Sequence, residues 1–330
     1  MKNRKIIIVV ALIVIIGLVA VILPKTNSKS DATPSNNKEV KIGILQFVTH
    51  PALDAITKGA KDELKKEGFA NAKINFYNGE ADQSKLQTMS SQLVSENNDV
   101  LIGIATPAAQ ALANATSTVP IVMGAVTDPV GANLVKNVNK PEGNITGVSD
   151  RFPVEKELKL MKEIMPNLKT VGVLYTSSES NSKSQVESFS KAAKAEGLTG
   201  KTYAIASSND ISTTVSVAAK EVQAFYIGND NTIASAFNNV LQITNAAKIP
   251  VFPSVDTMVE QGGLAAVSIN QRELGIETGK IAAQILKGKK VSEIPVDFYD
   301  HTTPIVNTEA AKVLGITIPK TVLDNSTNDK

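Results

Sequence analysis

The chain has 330 residues with a formal net charge of +2, but the charge is unevenly placed. Of its 34 basic side chains, Lys2, Arg4 and Lys5 precede an apolar N-terminal run, and the remaining 31 face 32 acidic ones, so the body is near neutral. That excludes the clustered basic face nucleic-acid binding requires, and the absence of cysteine excludes disulfides, thiolate metal sites and a lipid attached to cysteine.

Ile6 to Leu23 is an unbroken apolar run of 18 residues, about 27 Å long as a helix and close to the hydrocarbon thickness of a bilayer. The preceding positive charges keep the N-terminus cytoplasmic and the rest of the chain outside. The run is longer than the usual core of a signal peptide, and Val21, Ile22, Leu23 and Pro24 offer no small-x-small cleavage site. The expectation is an uncleaved membrane anchor over residues 1–23, with secretion after cleavage as the alternative. Residues 24–39, rich in Ser, Asn, Lys and Pro, read as a flexible linker.

From Val40 short apolar runs alternate with amphipathic stretches. The pattern predicts strands at 41–47, 73–77, 99–105 and 119–126, with helices at 51–68, around Leu86, Met89 and Leu93, and at 107–114. The same order recurs: strands at 170–176, 202–206, 222–228 and 249–255, and helices over 182–196, from Asp210 and from Asn231. Gly43 recurs as Gly172 and Pro120 as Pro250, about 130 residues apart. Such repetition predicts an α/β chain of two Rossmann-like lobes with parallel sheets, 40–150 and 151–270. A strand at 264–269 and a helix at 271–287 follow, and the chain end is expected to mix lobes, with part of 271–303 in the first and part of 304–325 in the second.

Ligands of open parallel sheets bind beyond the carboxyl ends of the strands. Six loops fall there: Val48-Thr49-His50, Thr106-Pro107-Ala108 and Thr127-Asp128-Pro129 in lobe one; Ser177 to Ser182, Asn229-Asp230-Asn231 and Val255-Asp256-Thr257 in lobe two. Each is polar while its strand is apolar. Helix capping would explain any single Ser, Thr, Asp or Asn here, but the set points to a cleft between lobes. Carboxylates at Asp128, Asp230 and Asp256 suit a ligand ammonium, and helix N-termini near Thr106 and Ser182 suit a carboxylate. A zwitterion satisfies both. With two histidines, His50 and His301, and no nucleotide-loop, nucleophile-elbow or zinc-protease motif, neither a catalytic constellation nor a metal or cofactor site is expected.

The stretches THPALDA (49–55), IATPAAQALANAT (104–116), PIV and AVTDPVGANLV within 120–135, GNITGVSD (143–150), NS (181–182) and DNT (230–232) resemble, in order and spacing, the ABC-transporter substrate-binding family that includes tryptophan-type receptors. The resemblance covers about 40–318 and implies a type I periplasmic-binding-protein-like architecture joined by a hinge. It further implies a monomer that delivers an aromatic or other hydrophobic amino acid to a membrane permease and its ATPase. Two departures stand out: Thr176-Ser177 replaces the Asn-Pro common after the tyrosine-bearing strand, and a lipoprotein anchor is impossible without cysteine. Carried over residue by residue, the resemblance puts ligand contacts at Thr49, Thr106, Thr127, Asp128, Ser149, Glu179, Asn181, Ser182, Asn229, Asp230, Asn231 and Asp256. His50 and Pro107 join them as neighbours in the same loops. By analogy Thr106 and Thr127 take the carboxylate and Asp230 or Asp256 the ammonium, with Asp230 preferred. A two-lobed receptor for a nucleoside or sugar, an exported metal-free enzyme and a membrane-anchored sensor are the rival readings; the missing tryptophan counts against a sugar, which stacks on aromatic rings.

Overall fold

A computed structural model describes residues 39–151 and 153–329. Lys41–Gln46 (β1), Lys73–Asn78 (β2), Val100–Ile104 (β3), Ile121–Gly124 (β4) and Ile145–Ser149 (β5) form a parallel sheet in the order β5-β4-β3-β1-β2. Its inner strands β3, β4 and β5 are buried at every residue, as continuous apolar runs with helices on both faces require, whereas the edge strand β2 is only partly covered. A second parallel sheet joins Thr170–Thr176 (β6), Thr199–Ile205 (β7), Ala224–Ile227 (β8) and Val251–Pro253 (β9) in the order β7-β6-β8-β9. The shared placement of first, second, third and fourth strands is the repeat seen in the sequence.

Ala265–Ile269 (β10) continues from β9 through a hydrogen bond from Leu264 N to Val251 O. The chain then returns to the first sheet, where Asp297–Phe298 (β11) pairs in parallel with β5. It crosses once more, and Thr302–Asn307 (β12) lies antiparallel to β10 with Thr327–Asp329 (β13) beside it. Three passages therefore connect the halves: 149–154, 269–271 and 298–302.

The helices that position the site are Pro51–Leu64 (α1), Gln83–Ser95 (α2) and Thr106–Ala115 (α3) in the first half. Val154–Ile164 (α4), Ser180–Ala195 (α5), Ile211–Ala218 (α6), Asn231–Ser235 (α7), Phe237–Ala246 (α8) and Asp256–Glu260 (α9) belong to the second. Gln271–Leu286 (α10) packs back on α1 of the first half. Gly59 and Gly275 allow the close approach: a Cβ on Gly275 would sit 2.1 Å from Ile56 O, and one on Gly59 2.4 Å from Arg272 O. Thr308–Leu314 (α11) and Lys320–Asp324 (α12) close the chain over the second half.

Two of the elements that were not anticipated border the site. β5 is short and interrupted by Gly147, whose φ of +147° lets the backbone pass against Met123. α4 carries a buried Glu157 on its apolar stripe of Val154, Leu158, Met161 and Ile164, which hides the helical period. The single helix expected from Asn231 is two, α7 and α8, parted at Ala236. Among the described residues no helix is long and apolar enough to cross a membrane; the apolar run and almost all of the linker lie outside them.

Candidate functional site

The carboxyl ends of the two sheets face one another across a narrow cavity of about 20 Å³. From the first half it is lined by His50 after β1, Thr106 after β3, Thr127 after β4 and Asp150 after β5. The second half contributes Asn181 on α5, Asn229 and Asp230 after β8, and Asn231 at the start of α7. Leu53, Ile56, Ala125, Ala234 and Val255 form the apolar part of the wall. No phenylalanine, tyrosine or tryptophan lines it among the described residues. A wider, open groove bordered by Arg151, Ser188 and Phe298 shares Thr127 with the cavity and runs beside it.

Three polar atoms of this lining are buried with no hydrogen-bond partner among the described residues: Thr106 Oγ1, Asp150 Oδ1 and Asn181 Oδ1. A buried polar atom left unpaired costs about 1–3 kcal/mol, so three around one cavity mark a place built for a polar guest. Asp150 and Asn181 present acceptors. Thr106 presents a hydroxyl at the start of α3, where the first backbone N–H groups have no intrahelical acceptor. Its predecessor Ala105 has φ 73° and ψ 159°, a conformation nearly reserved for glycine. Ala125, in the wall, also has a positive φ of 58°. Two strained alanines at adjacent strand ends hold the backbone where an unstrained turn would not.

The acids of the second half are arranged differently from the expectation. Asp230 is buried, and its carboxylate already accepts four hydrogen bonds. Thr176 N (2.6 Å) and Ser182 Oγ (2.8 Å) donate to Oδ2; Thr176 Oγ1 (2.8 Å) and Ile233 N (2.9 Å) donate to Oδ1. It joins β6 to α5 and caps α7, so its capacity is spent inside the protein. Glu179, fully buried before α5, likewise accepts from Thr232 N and Oγ1, Asn231 N and Nδ2, and Asn181 Nδ2. Burial, with the neighbouring Asp230 charge, pushes its carboxyl up to about 7. Asp256 lies outside the lining; its Oδ1 accepts from Thr257 N, and burial pushes it up to about 6.

The acid that does face the cavity with an open oxygen is Asp150. Its Oδ2 accepts from Asn229 Nδ2 of the opposite half at 2.7 Å, and burial pushes its carboxyl up to about 6. It closes the motif GNITGVSD, but it went unassigned because β5 was not read as a strand. Had 145–149 been counted as a fifth strand, the strand-end rule would have reached it. Gln271, Leu53, Ile56 and Ala234 were missed for a different reason: they come from helices and the second passage of chain, not from strand ends.

Other hydrogen bonds cross between halves. His50 Nε2 lies 3.4 Å from Asn231 Oδ1, Ser184 Oγ donates to Asp128 Oδ2 at 3.1 Å, and Ser180 Oγ to Gln110 Oε1 at 3.5 Å. Desolvation lowers the His50 imidazole to about 4, so it is neutral at physiological pH. Asp128 is thus a contact at the rim, not in the lining. Thr49 is exposed and accepts from Asn78 Nδ2, and Ser149 donates to Thr127 O behind the wall; neither is in the lining. Pro107 fills the first turn of α3 and Ser182 serves Asp230, again outside the lining.

The model of the ABC transporter substrate binding protein family matches residues 41–330. The chain belongs to this family. A tyrosine-binding protein of Clostridioides difficile is 37% identical over 313 residues, 92% of this chain and 91% of that one. Among solved structures, a Streptococcus pneumoniae ABC domain in complex with L-Trp is 50% identical, with a TM-score of 0.86 over 88% of this chain and 99% of that one. A ligand-free, open substrate-binding protein of Clostridium difficile with adhesive properties is 40% identical and covers 88% and 98%, but its TM-score is 0.67. As a substrate-binding member, the chain is the solute-receiving component of an ABC transporter.

Proposed function

We propose that this protein is the receptor of an ABC importer for an aromatic L-amino acid, which it encloses as a zwitterion between its halves. The observation that carries the reading is the trio of unpartnered buried atoms. Asp150 Oδ1 and Asn181 Oδ1, one from each half, would take the ammonium. Thr106 and the first N–H groups of α3 would take the carboxylate, favoured further by the helix dipole. The aliphatic wall of Leu53, Ile56 and Val255 would receive the ring. Aromatic ligands of two relatives, tyrosine by name and L-Trp in the crystal, support this class. Sugar recognition has less support, since no aromatic platform lines the cavity among the described residues.

Capture works by closure. In this closed arrangement the cross-half hydrogen bonds are made, and the similarity is higher to the L-Trp complex than to an open ligand-free relative. An ammonium held by Asp150 and Asn181 ties the halves together, and exclusion of water strengthens each contact. The apolar run at 6–23 would hold the receptor at the outer face of the membrane, so the full chain should fractionate with membranes and resist extraction by high salt.

Calorimetry on residues 39–330 tests the assignment. L-tyrosine or L-tryptophan should bind with at least tenfold preference over L-alanine. Asp150→Asn should weaken the preferred ligand at least thirtyfold, about 2 kcal/mol, because an ammonium loses its charged partner in a water-free site. No binding by any aromatic amino acid, or an unaffected Asp150→Asn variant, would overturn the reading.

A further inference from the structure

Glu179 lies outside the cavity lining, yet every donor it accepts belongs to a segment that reaches the cavity or flanks one that does. Its Oε2 receives Asn181 Nδ2 at 3.2 Å and Asn231 Nδ2 at 2.6 Å. Asn181 Nδ2 is held a second time by Asn229 O at 2.7 Å. An ionised carboxylate accepts and never donates, so when Glu179 is ionised, above about pH 7, both amides must turn their NH2 ends toward it and their oxygens away. The oxygen of Asn231 then meets His50 of the opposite half, and the oxygen of Asn181 is left buried, unpartnered and in the cavity wall.

We infer that Glu179 is a positioning residue for ligand recognition: it locks the Asn181 amide so that the second half offers an acceptor to the ligand's ammonium. This rests on the amino-acid reading given above. Without an ionised carboxylate at that place, Asn181 Nδ2 keeps its contact to Asn229 O but loses its charged acceptor, and a donor at position 179 can draw the amide oxygen inward by a half-turn. It would then offer NH2 to an ammonium, replacing attraction with repulsion. Asn229 O is a second acceptor on that NH2, and Asp230 is filled by its own four donors, so the charge that backs the amide is Glu179's. The arrangement thus recognises the amino group through an uncharged oxygen whose direction is set by a charge two residues before it.

The test compares L-tyrosine with its des-amino analogue 3-(4-hydroxyphenyl)propionate, measured by direct titration and by competition. In Glu179→Gln, a residue of the same shape, L-tyrosine affinity should fall at least tenfold while the analogue changes less than twofold. Asn181→Ala should give the same pattern, and the double variant should be no worse than either single one. Equal losses for both ligands, or wild-type affinity in Glu179→Gln, overturn the inference. If wild-type protein itself binds no aromatic amino acid, the amino-acid reading fails first, and the two failures are told apart. Should Glu179→Gln not fold by its melting curve, the wild-type Asn181 side-chain amide decides. Its protons should exchange slowly in the free and loaded protein, and fast exchange in both overturns the inference.

Discussion

Asp150 and Asp230 are both buried carboxylates at strand ends that border one cavity, yet their hydrogen bonding gives them opposite work. Asp230 has a full complement of protein donors, among them two backbone N–H groups, so removing it orphans groups in the second half. Asp230→Ala should lower stability by about 2–4 kcal/mol, at the scale of about 1–3 kcal/mol for each buried group left unsatisfied. Urea denaturation of the ligand-free protein would measure it, and an unchanged midpoint with lost affinity would make Asp230 a direct ligand contact instead. Ala105 offers the opposite experiment. At φ 73° and ψ 159° its Cβ is a liability, so Ala105→Gly should raise the melting temperature by about 2–4 °C, corresponding to about 1 kcal/mol of relieved strain. If melting falls instead, the strain is not stored there. At this scale the sequence was a partial guide. His50, Thr106, Thr127, Asn181, Asn229, Asp230 and Asn231 all line the cavity, as the strand-end rule expects. The rule locates loops, however, and cannot say which atoms of a loop are already satisfied by neighbours far along the chain; that is why Glu179 and Asp230 read as contacts.

The contact between α1 and α10 decides whether the first strand's loop, with His50 at its end, sits correctly against the opposite half. Backbone meets backbone at Gly275 and Ile56 with no room for a methyl group. Gly275→Ala should therefore push the helices apart and lower stability by about 1–3 kcal/mol, the usual range for overpacking, despite alanine's better helix propensity. Thermal melting checks it, and a stabilised variant would show that the helices can slide without loss. Elements with clear periodicity, such as the strands at 41–46 and 170–176 and the helices at 83–95 and 271–286, were legible to within a few residues of their ends. Those that were not share a physical cause. Gly147 breaks the apolar run of β5, Glu157 interrupts the stripe of α4, and Ala236 divides α7 from α8; each is a local exception imposed by packing of the whole.

Over the whole molecule, several buried carboxyls are pushed up together: Asp150 and Asp256 to about 6, Glu179 to about 7, and Glu157 by burial in the second half. Each folded value exceeds the unfolded one, so the folded chain holds these protons more tightly than the unfolded chain. The stability this contributes is fully present only below the unfolded values near 4 and is lost progressively as pH rises from there through about 6 to 7. Glu67 and Glu221, held low by hydrogen bonds from lysines, work the other way but are exposed and screened. Ligand-free protein should accordingly melt higher at pH 5.5 than at pH 7.5. Ligand binding carries the opposite sign, since an ammonium needs Asp150 ionised, and the rise in melting temperature given by L-tyrosine should shrink as pH falls below about 6. Scanning calorimetry with and without ligand reads both. An increment that does not change with pH would remove Asp150 from the ammonium site.

The three passages of chain at 149–154, 269–271 and 298–302 act as straps laid side by side between two rigid bodies. One strap would let the bodies swivel in any direction; three in a row leave little but the swing of a door on its frame. On the proposed closure each opening would retrace the same arc, and Asp150 and Asn181 would come back into register whenever the gap shuts. A single cut in one strap would leave the bodies attached but free to twist, sacrificing aim before it sacrifices assembly.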